Sequence, residues 1–408
     1  MRRPLLRALG ALLAAGAVLV LGACGKGSSR QVAGGGPLRQ LAPVEAQGAV
    51  SVTTRNTTRV GGADVVVDAA AVARVVYPGL TSTSRPRVLA IVDDRDWPAA
   101  LASSELASSS LGAPLLYAEG QRLPDVSSQA LTAMKPTGAS ALAGSAVVEV
   151  GTDAPLPDGY GARLVRVPAV SGPAVAAELE ALLARAQGAV PHQVIVVSLQ
   201  APRAEQMPAA GLAAESGAPI LFVSGPTLPA PTYHALLSLH HPSIYLVGSS
   251  TISPHTLGSL SRLGRVTRVT AGGEGATATS IAIARYTDGT FGWGIKEPGH
   301  GLVFANSARP LDAPAAAPLS ATGDYGPLLL LEGPGTIAPS LVTYLGDIRP
   351  GYSSSPEFSP DKGVYNRGWL IGDERAVSLT TQAELDSLLE IGPSKQGSSE
   401  ESSVLAPE

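Results

Sequence analysis

The stretch LGAPLLYAEG at Leu111–Gly120 places a proline before four apolar residues and closes on a glycine. Two later stretches repeat this order: SGAPILFVSG at Ser216–Gly225 and YGPLLLLEG at Tyr325–Gly333. The prolines that open the three apolar runs are spaced by roughly 105 residues, which indicates an internal repeat. A proline is tolerated at the first position of a strand, where no N–H is needed for the ladder. We therefore interpret each stretch as one core strand of a repeated unit.

The flanking segments recur in the same order. Each proline is preceded by an apolar run and then an alanine-rich stretch of helical length, and it is followed by a helix-like segment. A second apolar run then ends on glycine: VVEVG at Val147–Gly151, IYLVG at Ile244–Gly248 and GWLIG at Gly368–Gly372. Apolar runs without alternation are typical of strands buried on both faces of a parallel sheet. The sequence predicts an α/β fold of three Rossmann-like modules with parallel sheets.

A strand, a glycine turn and a helix precede each unit, at Thr58–Gly79, Arg163–Ala186 and Arg265–Tyr286. Each of these segments is predicted to belong to the unit that follows it. The predicted division of the chain is therefore a signal peptide, a flexible tether, three repeats and a disordered tail, at residues 1–23, 24–49, 50–158, 159–262, 263–392 and 393–408.

The N-terminus is typical of an exported bacterial protein. Arginines precede an apolar run at Ala8–Gly22 that is short for a membrane span. It ends in LGAC at Leu21–Cys24, which looks like a lipoprotein cleavage site, so Cys24 is the predicted lipidation site. An ordinary signal peptide or a short membrane anchor is the alternative. With a lipid on Cys24, the protein would lie at the extracytoplasmic face of the membrane.

Composition and motifs exclude several classes of function. Lys and Arg number 29 against 33 Asp and Glu, and an acidic balance disfavours a nucleic-acid partner. The chain has no phosphate loop and no nucleophile elbow. His234 and His241 would share one helix face, but their spacing is wide for zinc. The sequence predicts a protein that is not an enzyme and needs no cofactor or metal.

The repeated motifs resemble the type 2 cell-wall-binding repeat family of Gram-positive bacteria. GAPLLY, GAPILF and GPLLLL match the GAPILL-like strand of that family. SIYLVGSSTISPHTLGSL at Ser243–Leu260 matches its IYIVGG-like strand together with the helix that follows. The resemblance covers about residues 50–392. It implies three modules packed around a pseudo-threefold axis and non-covalent attachment to an anionic cell-wall polymer.

The resemblance also implies where the polymer binds. In the family, clefts between modules are lined by the apolar strands and by basic residues. The strand residues carried over to this chain are Pro114, Leu115, Leu116, Pro219, Ile220, Leu221, Pro327, Leu328 and Leu329.

The family's Arg-Tyr pair is missing from all three turns of this chain. Arginines recur just before the turns instead, at Arg59, Arg166 and Arg268. They could contact phosphate or carboxylate groups of the polymer, or they could only cover the edge of the sheet.

Two other functions stay open at this stage. A solute-binding lipoprotein of a transporter also joins α/β lobes, but two lobes around one cleft do not explain three similar units. A protein–protein scaffold of the envelope would keep the fold after polymer binding had been lost.

Overall fold

A computed structural model describes residues 49–168, 170–270, 275–321, 326–352 and 363–393. The predicted signal peptide, Cys24 and residues 394–408 of the predicted tail lie outside the described residues. None of the helices in these ranges has the length and apolar character of a membrane span.

The strands are short, and several are buried along their whole length. They are β1 (Val50–Thr53), β2 (Thr57–Gly61), β3 (Leu89–Asp93), β4 (Leu115–Ala118), β5 (Val147–Val150), β6 (Leu164–Val167), β7 (Gln193–Ser198), β8 (Ile220–Val223), β9 (Ser243–Val247), β10 (Arg265–Arg268), β11 (Gly301–Asn306), β12 (Leu328–Leu331), β13 (Gly351–Tyr352), β14 (Arg367–Ile371) and β15 (Gly392–Pro393).

Helices connect most of the strands, as expected of parallel pairing. They are α1 (Val65–Val76), α2 (Trp97–Ser103), α3 (Asp125–Met134), α4 (Gly172–Gln187), α5 (Arg203–Gln206), α6 (Pro208–Ser216), α7 (Ala230–Ser238), α8 (Pro254–Leu263), α9 (Ala276–Arg285), α10 (Asp312–Ser320), α11 (Pro339–Asp347) and α12 (Leu379–Leu388).

Three larger sheets form the core. Sheet A has the order β4-β3-β5-β6, sheet B has β8-β7-β9-β10, and sheet C has β12-β11-β14-β2-β1. All pairs within them are parallel except β1 with β2. The first four strands of every sheet share one order, so the predicted α/β class with three similar parallel sheets is confirmed.

The repeated prolines occupy equivalent places. The N–H groups of Ala90, Ile195 and Val303 donate to the carbonyls of Pro114, Pro219 and Pro327 at 2.9, 2.9 and 3.0 Å. The residues after these prolines, Leu115, Ile220 and Leu328, lie in separate sheets and are at most 2% exposed. The prediction that they are core residues is confirmed.

The repeated glycines also have a structural cause. Gly151, Gly248 and Gly372 directly follow the third strands of their sheets and have φ values of 68°, 65° and 94°. Residues with a side chain rarely adopt this left-handed conformation, which explains why each of these strands ends on glycine.

Strand pairing corrects the predicted repeat boundaries. The predicted boundaries place β2, β6 and β10 in the units that follow them, whereas all three strands pair with other sheets. β6 pairs with β5, β10 pairs with β9, and β2 pairs with β14 near the other end of the chain. The helices that follow do pack on the expected units: α1 on β4, α4 on β8 and α9 on β12. Each strand-to-helix connection therefore passes from one sheet to the next.

Small side chains let the modules approach each other. Helices α6 and α10 pack against one another and against a 3₁₀ turn at Ser104–Ala107. Ala107, Ala214 and Ala317 form a buried cluster at this contact, one from each repeat. Alanine permits such close packing because its side chain adds little volume. The pseudo-threefold axis stays a prediction.

Candidate functional site

The strand residues carried over from the family lie in the core. All of their side chains are buried, including the prolines, and the leucines and the isoleucine are at most 2% exposed. A fully buried side chain cannot touch a polymer, so this assignment is corrected: they stabilise the sheets and do not line a cleft. The residues concerned are Pro114, Leu115, Leu116, Pro219, Ile220, Leu221, Pro327, Leu328 and Leu329.

The recurrent arginines are structurally equivalent. All three lie in the fourth strand of their sheet and pair with a residue of the third strand. Arg59 lies opposite Leu370, Arg166 opposite Glu149 and Arg268 opposite Leu246. Each of these partner residues stands two positions before the glycine that ends its strand. The repeat therefore places the arginines alike, but their surroundings differ.

Arg59 is a structural residue, being only 1% exposed. Its Nε donates to Gln382 Oε1 at 3.0 Å, and its terminal nitrogens donate to the carbonyls of Gly372 and Val377 at 3.1 and 2.6 Å. These bonds hold β2 against α12 and the turn before that helix. The prediction that Arg59 contacts the polymer is corrected, because its guanidinium is enclosed by the protein.

Arg166 and Arg268 have side chains that reach the surface. Arg268 is exposed on β10. The Arg166 side chain is 63% exposed and donates from Nε to Glu149 Oε2 at 3.0 Å. A role of either arginine in binding stays a prediction, and Arg166 lines a cavity that the sequence did not indicate.

This cavity, which we call the sheet A crevice, has a volume of about 540 Å³. It lies where the strands of sheet A end at their carboxyl termini, and it opens to solvent. The lining residues are Asp93, Arg95, Gly120, Gln121, Gly151, Thr152, Asp153, Arg166, Val167 and Pro168.

The crevice coincides with the topological switch point of sheet A. From β3 the chain crosses to β4 on one side, and β5 then pairs on the other side of β3. Connections that leave in opposite directions open a gap beyond the carboxyl ends of adjacent strands, where α/β proteins commonly bind ligands. Asp93 at the end of β3 and Gly151 after β5 both line the gap.

The equivalent position is occupied differently in the other sheets. Ser198 and Asn306 end β7 and β11 as Asp93 ends β3. Ser198 Oγ accepts a hydrogen bond from Thr251 Oγ1 at 2.7 Å, and Asn306 Nδ2 donates to the Ala376 carbonyl at 3.0 Å. In sheet B, the segment after β9 therefore reaches over the carboxyl end of β7. In sheet C, the segment after β14 reaches over the carboxyl end of β11 in the same way.

Sheet A lacks this cover. The chain runs from β5 to β6 without a helix, through residues 151–163, whereas α8 and α12 follow the third strands of the other sheets. Asp93 Oδ1 instead accepts a hydrogen bond from Gly120 N at 3.3 Å. Thr152 Oγ1 donates to the Gly120 carbonyl at 2.7 Å and fixes the start of the loop. The crevice is thus a consequence of the missing helix.

The Asp93–Arg95 ion pair forms one wall. Arg95 Nε and Nη2 donate to the two carboxylate oxygens of Asp93 at 2.9 and 2.8 Å. These hydrogen bonds are the main reason that the pKa of Asp93 is lowered. The wall therefore carries a fixed pair of opposite charges at neutral pH.

Glu149 lies beneath Arg166 and is fully buried. Burial raises the pKa of Glu149, and the hydrogen bond from Arg166 opposes that rise. Its Oε1 has no hydrogen-bond partner among the residues that the structure describes. The charge of Asp153, which also lines the crevice, raises the pKa of Glu149 further.

A second polar cluster borders a smaller cavity of about 300 Å³. Arg309 donates from Nε to Asp312 Oδ2 at 2.7 Å and from Nη2 to Asp68 Oδ2. Both carboxyl groups are fully buried. Burial, and then the charge of Asp312, raises the pKa of Asp68 to about 9. This cluster joins α1 to α10.

Sequence reasoning missed both polar sites for different reasons. The loop at residues 151–163 carried a signal, because it lacks the helical segment found after the other glycine-ended strands. Asp68 and Arg309 are 241 positions apart, and no repeated motif connects them.

The described residues contain no group of three or more His, Cys, Asp or Glu side chains placed to hold a metal ion. The predicted stacking of His234 and His241 on one helix is wrong, because α7 ends at Ser238. His241 lies beyond that end with a φ of 66°.

Two solved structures show the same fold. Cwp6 from Clostridium difficile matches with a TM-score of 0.64 at 16% identity, over 84% of this chain and 51% of that one. Cwp8 from Clostridium difficile matches with a TM-score of 0.60 at 17% identity, over 83% and 53%. The chain thus spans about half the length of these proteins. No protein-family model and no curated protein sequence matches it.

Proposed function

We propose that the protein attaches non-covalently to a cell-wall polymer while a lipid on Cys24 holds it at the extracytoplasmic face of the membrane. The three related sheets and the likeness to two cell wall proteins of Clostridium difficile support a role in the envelope. The repeat resemblance points to an anionic polymer as the partner. We propose a binding protein and not an enzyme.

The open switch point of sheet A carries the proposal for the binding site. Its lining residues come from the carboxyl ends of all four strands of sheet A. The gap is open because no helix follows β5, whereas α8 and α12 follow the equivalent strands of the other two sheets. Arg166 offers its terminal nitrogens to a ligand because only Nε is bonded to Glu149. An exposed guanidinium of this kind suits a carboxylate or phosphate group.

Solute binding is the second candidate function. The crevice has a volume of about 540 Å³, which falls within the usual range of about 300–1,000 Å³ for small-molecule sites. A lipid-anchored protein with such a site could deliver a small solute to a transporter. The two functions differ in whether the ligand is free or is part of the wall.

Co-sedimentation of the purified full chain with cell walls tests the proposal. We expect the wild-type chain to sediment with walls, and Arg166→Gln to weaken binding by about tenfold, as loss of one charged contact predicts. Arg268→Gln, at the equivalent position of sheet B, is the comparison variant. It should bind like wild type if the sheet A crevice holds the polymer, because Arg268 does not line that crevice. Walls extracted with acid to remove secondary polymers identify the component that binds.

Failure of the wild-type chain to sediment at low salt would overturn the wall-binding proposal. Equal binding by Arg166→Gln would leave wall binding intact but move the site away from the sheet A crevice. Loss of binding in Arg268→Gln alone would have the same consequence.

A further inference from the structure

The charges of the sheet A crevice define the chemistry of its ligand. We propose that the crevice binds a zwitterionic group, the end of an amino acid or peptide that carries both a free ammonium and a free carboxylate. This inference deepens the proposed function and rests on the same site. It names the group that is recognised. This zwitterionic group belongs either to a free solute or to the wall polymer, whose anionic backbone would then stay outside the crevice.

The lining carries both signs of charge in balance. Asp93 and Asp153 are acidic, and Arg95 and Arg166 are basic. A polyanion that filled the crevice would meet two carboxylates, and a simple cation would meet two guanidinium groups. Because like charges at short range repel, a ligand with one charge of each sign fits this lining better than either.

Arg166 is the group that would hold the ligand carboxylate. Its Nε is occupied by Glu149 Oε2, while the rest of its side chain is largely exposed. Glu149 lies in the middle of β5 and is fully buried. This fixed carboxylate holds the guanidinium plane, so the terminal nitrogens are presented as a fork that matches a carboxylate.

Asp153 is the group that would hold the ligand ammonium. Its side chain is exposed and lines the crevice, and it forms no ion pair with any residue that the structure describes. Asp93, by contrast, is already bound by Arg95. Asp153 and Arg166 line the same cavity, so the crevice offers a carboxylate without an ion-pair partner among the described residues together with a guanidinium whose terminal nitrogens are exposed. An ammonium and a carboxylate on one small ligand could bind Asp153 and Arg166 together.

Isothermal titration of the full chain with four probes tests the inference. The probes are the dipeptide D-alanyl-D-alanine, its N-acetyl form, its C-terminal amide and glycerol 3-phosphate. We expect the free dipeptide to bind, and each blocked form to bind about tenfold more weakly, since each loses one charged contact. Glycerol 3-phosphate should bind no better than the blocked forms.

Variants assign the two contacts. Asp153→Asn should weaken the free dipeptide by about tenfold and leave the N-acetyl form unchanged, because that form has no ammonium to lose. Arg166→Gln should also weaken binding of the free dipeptide by about tenfold, and it should leave the affinity for the C-terminal amide unchanged because that form has no carboxylate to lose. Asp158→Asn is the matched control, since Asp158 is an exposed aspartate of the same loop that does not line the crevice.

The outcomes separate this inference from the proposed function. Equal affinity for free and N-acetylated dipeptide, or binding of glycerol 3-phosphate alone, would overturn the zwitterion. If the dipeptide does not bind but walls sediment in an Arg166-dependent manner, the inference fails and wall binding stands. If the dipeptide binds but walls do not sediment, the inference stands and solute binding replaces wall attachment.

Discussion

Arg59 and Gln382 are 323 positions apart in the chain, yet Arg59 Nε donates to Gln382 Oε1 at 3.0 Å in the protein interior. The bond joins β2, near the beginning of the described chain, to α12, near its end. It accompanies the parallel pairing of β2 with β14 that completes sheet C. The two ends of the repeat array are therefore held together by a buried polar contact as well as by a ladder of backbone hydrogen bonds.

Replacing Arg59 should destabilise the protein. Arg59→Leu leaves the carbonyls of Gly372 and Val377 and the amide of Gln382 without their donor, and we expect the free energy of unfolding to fall by about 2–4 kcal/mol. Urea unfolding followed by circular dichroism measures the change. Arg268→Leu, at the exposed equivalent position, should shift it by less than about 0.5 kcal/mol. Similar losses in both variants would contradict the role given to Arg59.

Ile220 tests the burial of the strand that follows each repeated proline, here Pro219. It is fully buried in β8, so Ile220→Ala should lower the free energy of unfolding by about 2–5 kcal/mol. Val190→Ala is a suitable control because Val190 is 42% exposed. The prediction fails if the two variants unfold at the same urea concentration.

The Asp68–Asp312 pair should make stability fall as pH rises. An unfolded aspartate has a pKa of about 3.9, whereas the pKa of Asp68 is raised to about 9 in the folded protein. The folded state then holds a proton that the unfolded state has released, so stability is greatest below about pH 4 for this group and is lost toward pH 9. Urea unfolding at pH 5.5 and pH 8.5 measures the difference.

Asp312→Asn isolates that effect. It removes the neighbouring negative charge while Arg309 still faces Asp68, so the drop in stability between the two pH values should shrink. Glu180, whose pKa burial raises to about 7, contributes with the same sign in both proteins and cancels in the comparison. Four other titratable groups near this cluster stay unchanged in the variant. Asp64 and Arg203 line the same cavity, and Asp373 and Tyr117 interact electrostatically with the cluster. An unaltered pH dependence in Asp312→Asn would contradict the contribution of the Asp312 charge to the raised pKa of Asp68.

Cys24 tests the predicted anchor. Cys24→Ser should leave the chain uncleaved or release it from the membrane, because serine has no thiol to accept the lipid. Membrane fractionation and the electrophoretic mobility of the mature chain give the answer. A variant that fractionates and migrates like wild type would show that the lipid prediction is wrong.

Most of the fold could be predicted because its signals are local. A proline before an apolar run and a glycine after one can be recognised from a few neighbouring residues. In the structure the proline carbonyls accept ladder hydrogen bonds and the glycines have positive φ values. The partner of β2 could not be predicted in this way. Its sequence resembles that of β6 and β10, and nothing nearby indicates that the strand it joins lies beyond residue 366.

The candidate site was less predictable than the fold. Repetition correctly singled out Arg59, Arg166 and Arg268 as equivalent positions. Their exposure depends on what packs over them: α12 supplies Gln382 above Arg59, while sheet A has no helix there. The apolar strands were assigned to the binding surface by resemblance, but side chains such as Ile220 face only the interior.

The pairing of β2 with β14 determines the order in which the three sheets can be completed during synthesis of the chain. Sheets A and B are each completed by a strand that follows closely in the chain, so each can assemble while the rest of the polypeptide is still being synthesised. Strand β2 emerges early and finds its partner only after Ile371 has appeared. Closing so long a segment costs entropy and slows folding. Sheet C is therefore the last of the three sheets to be completed. A chain truncated before β14 would leave β2 without its parallel partner strand.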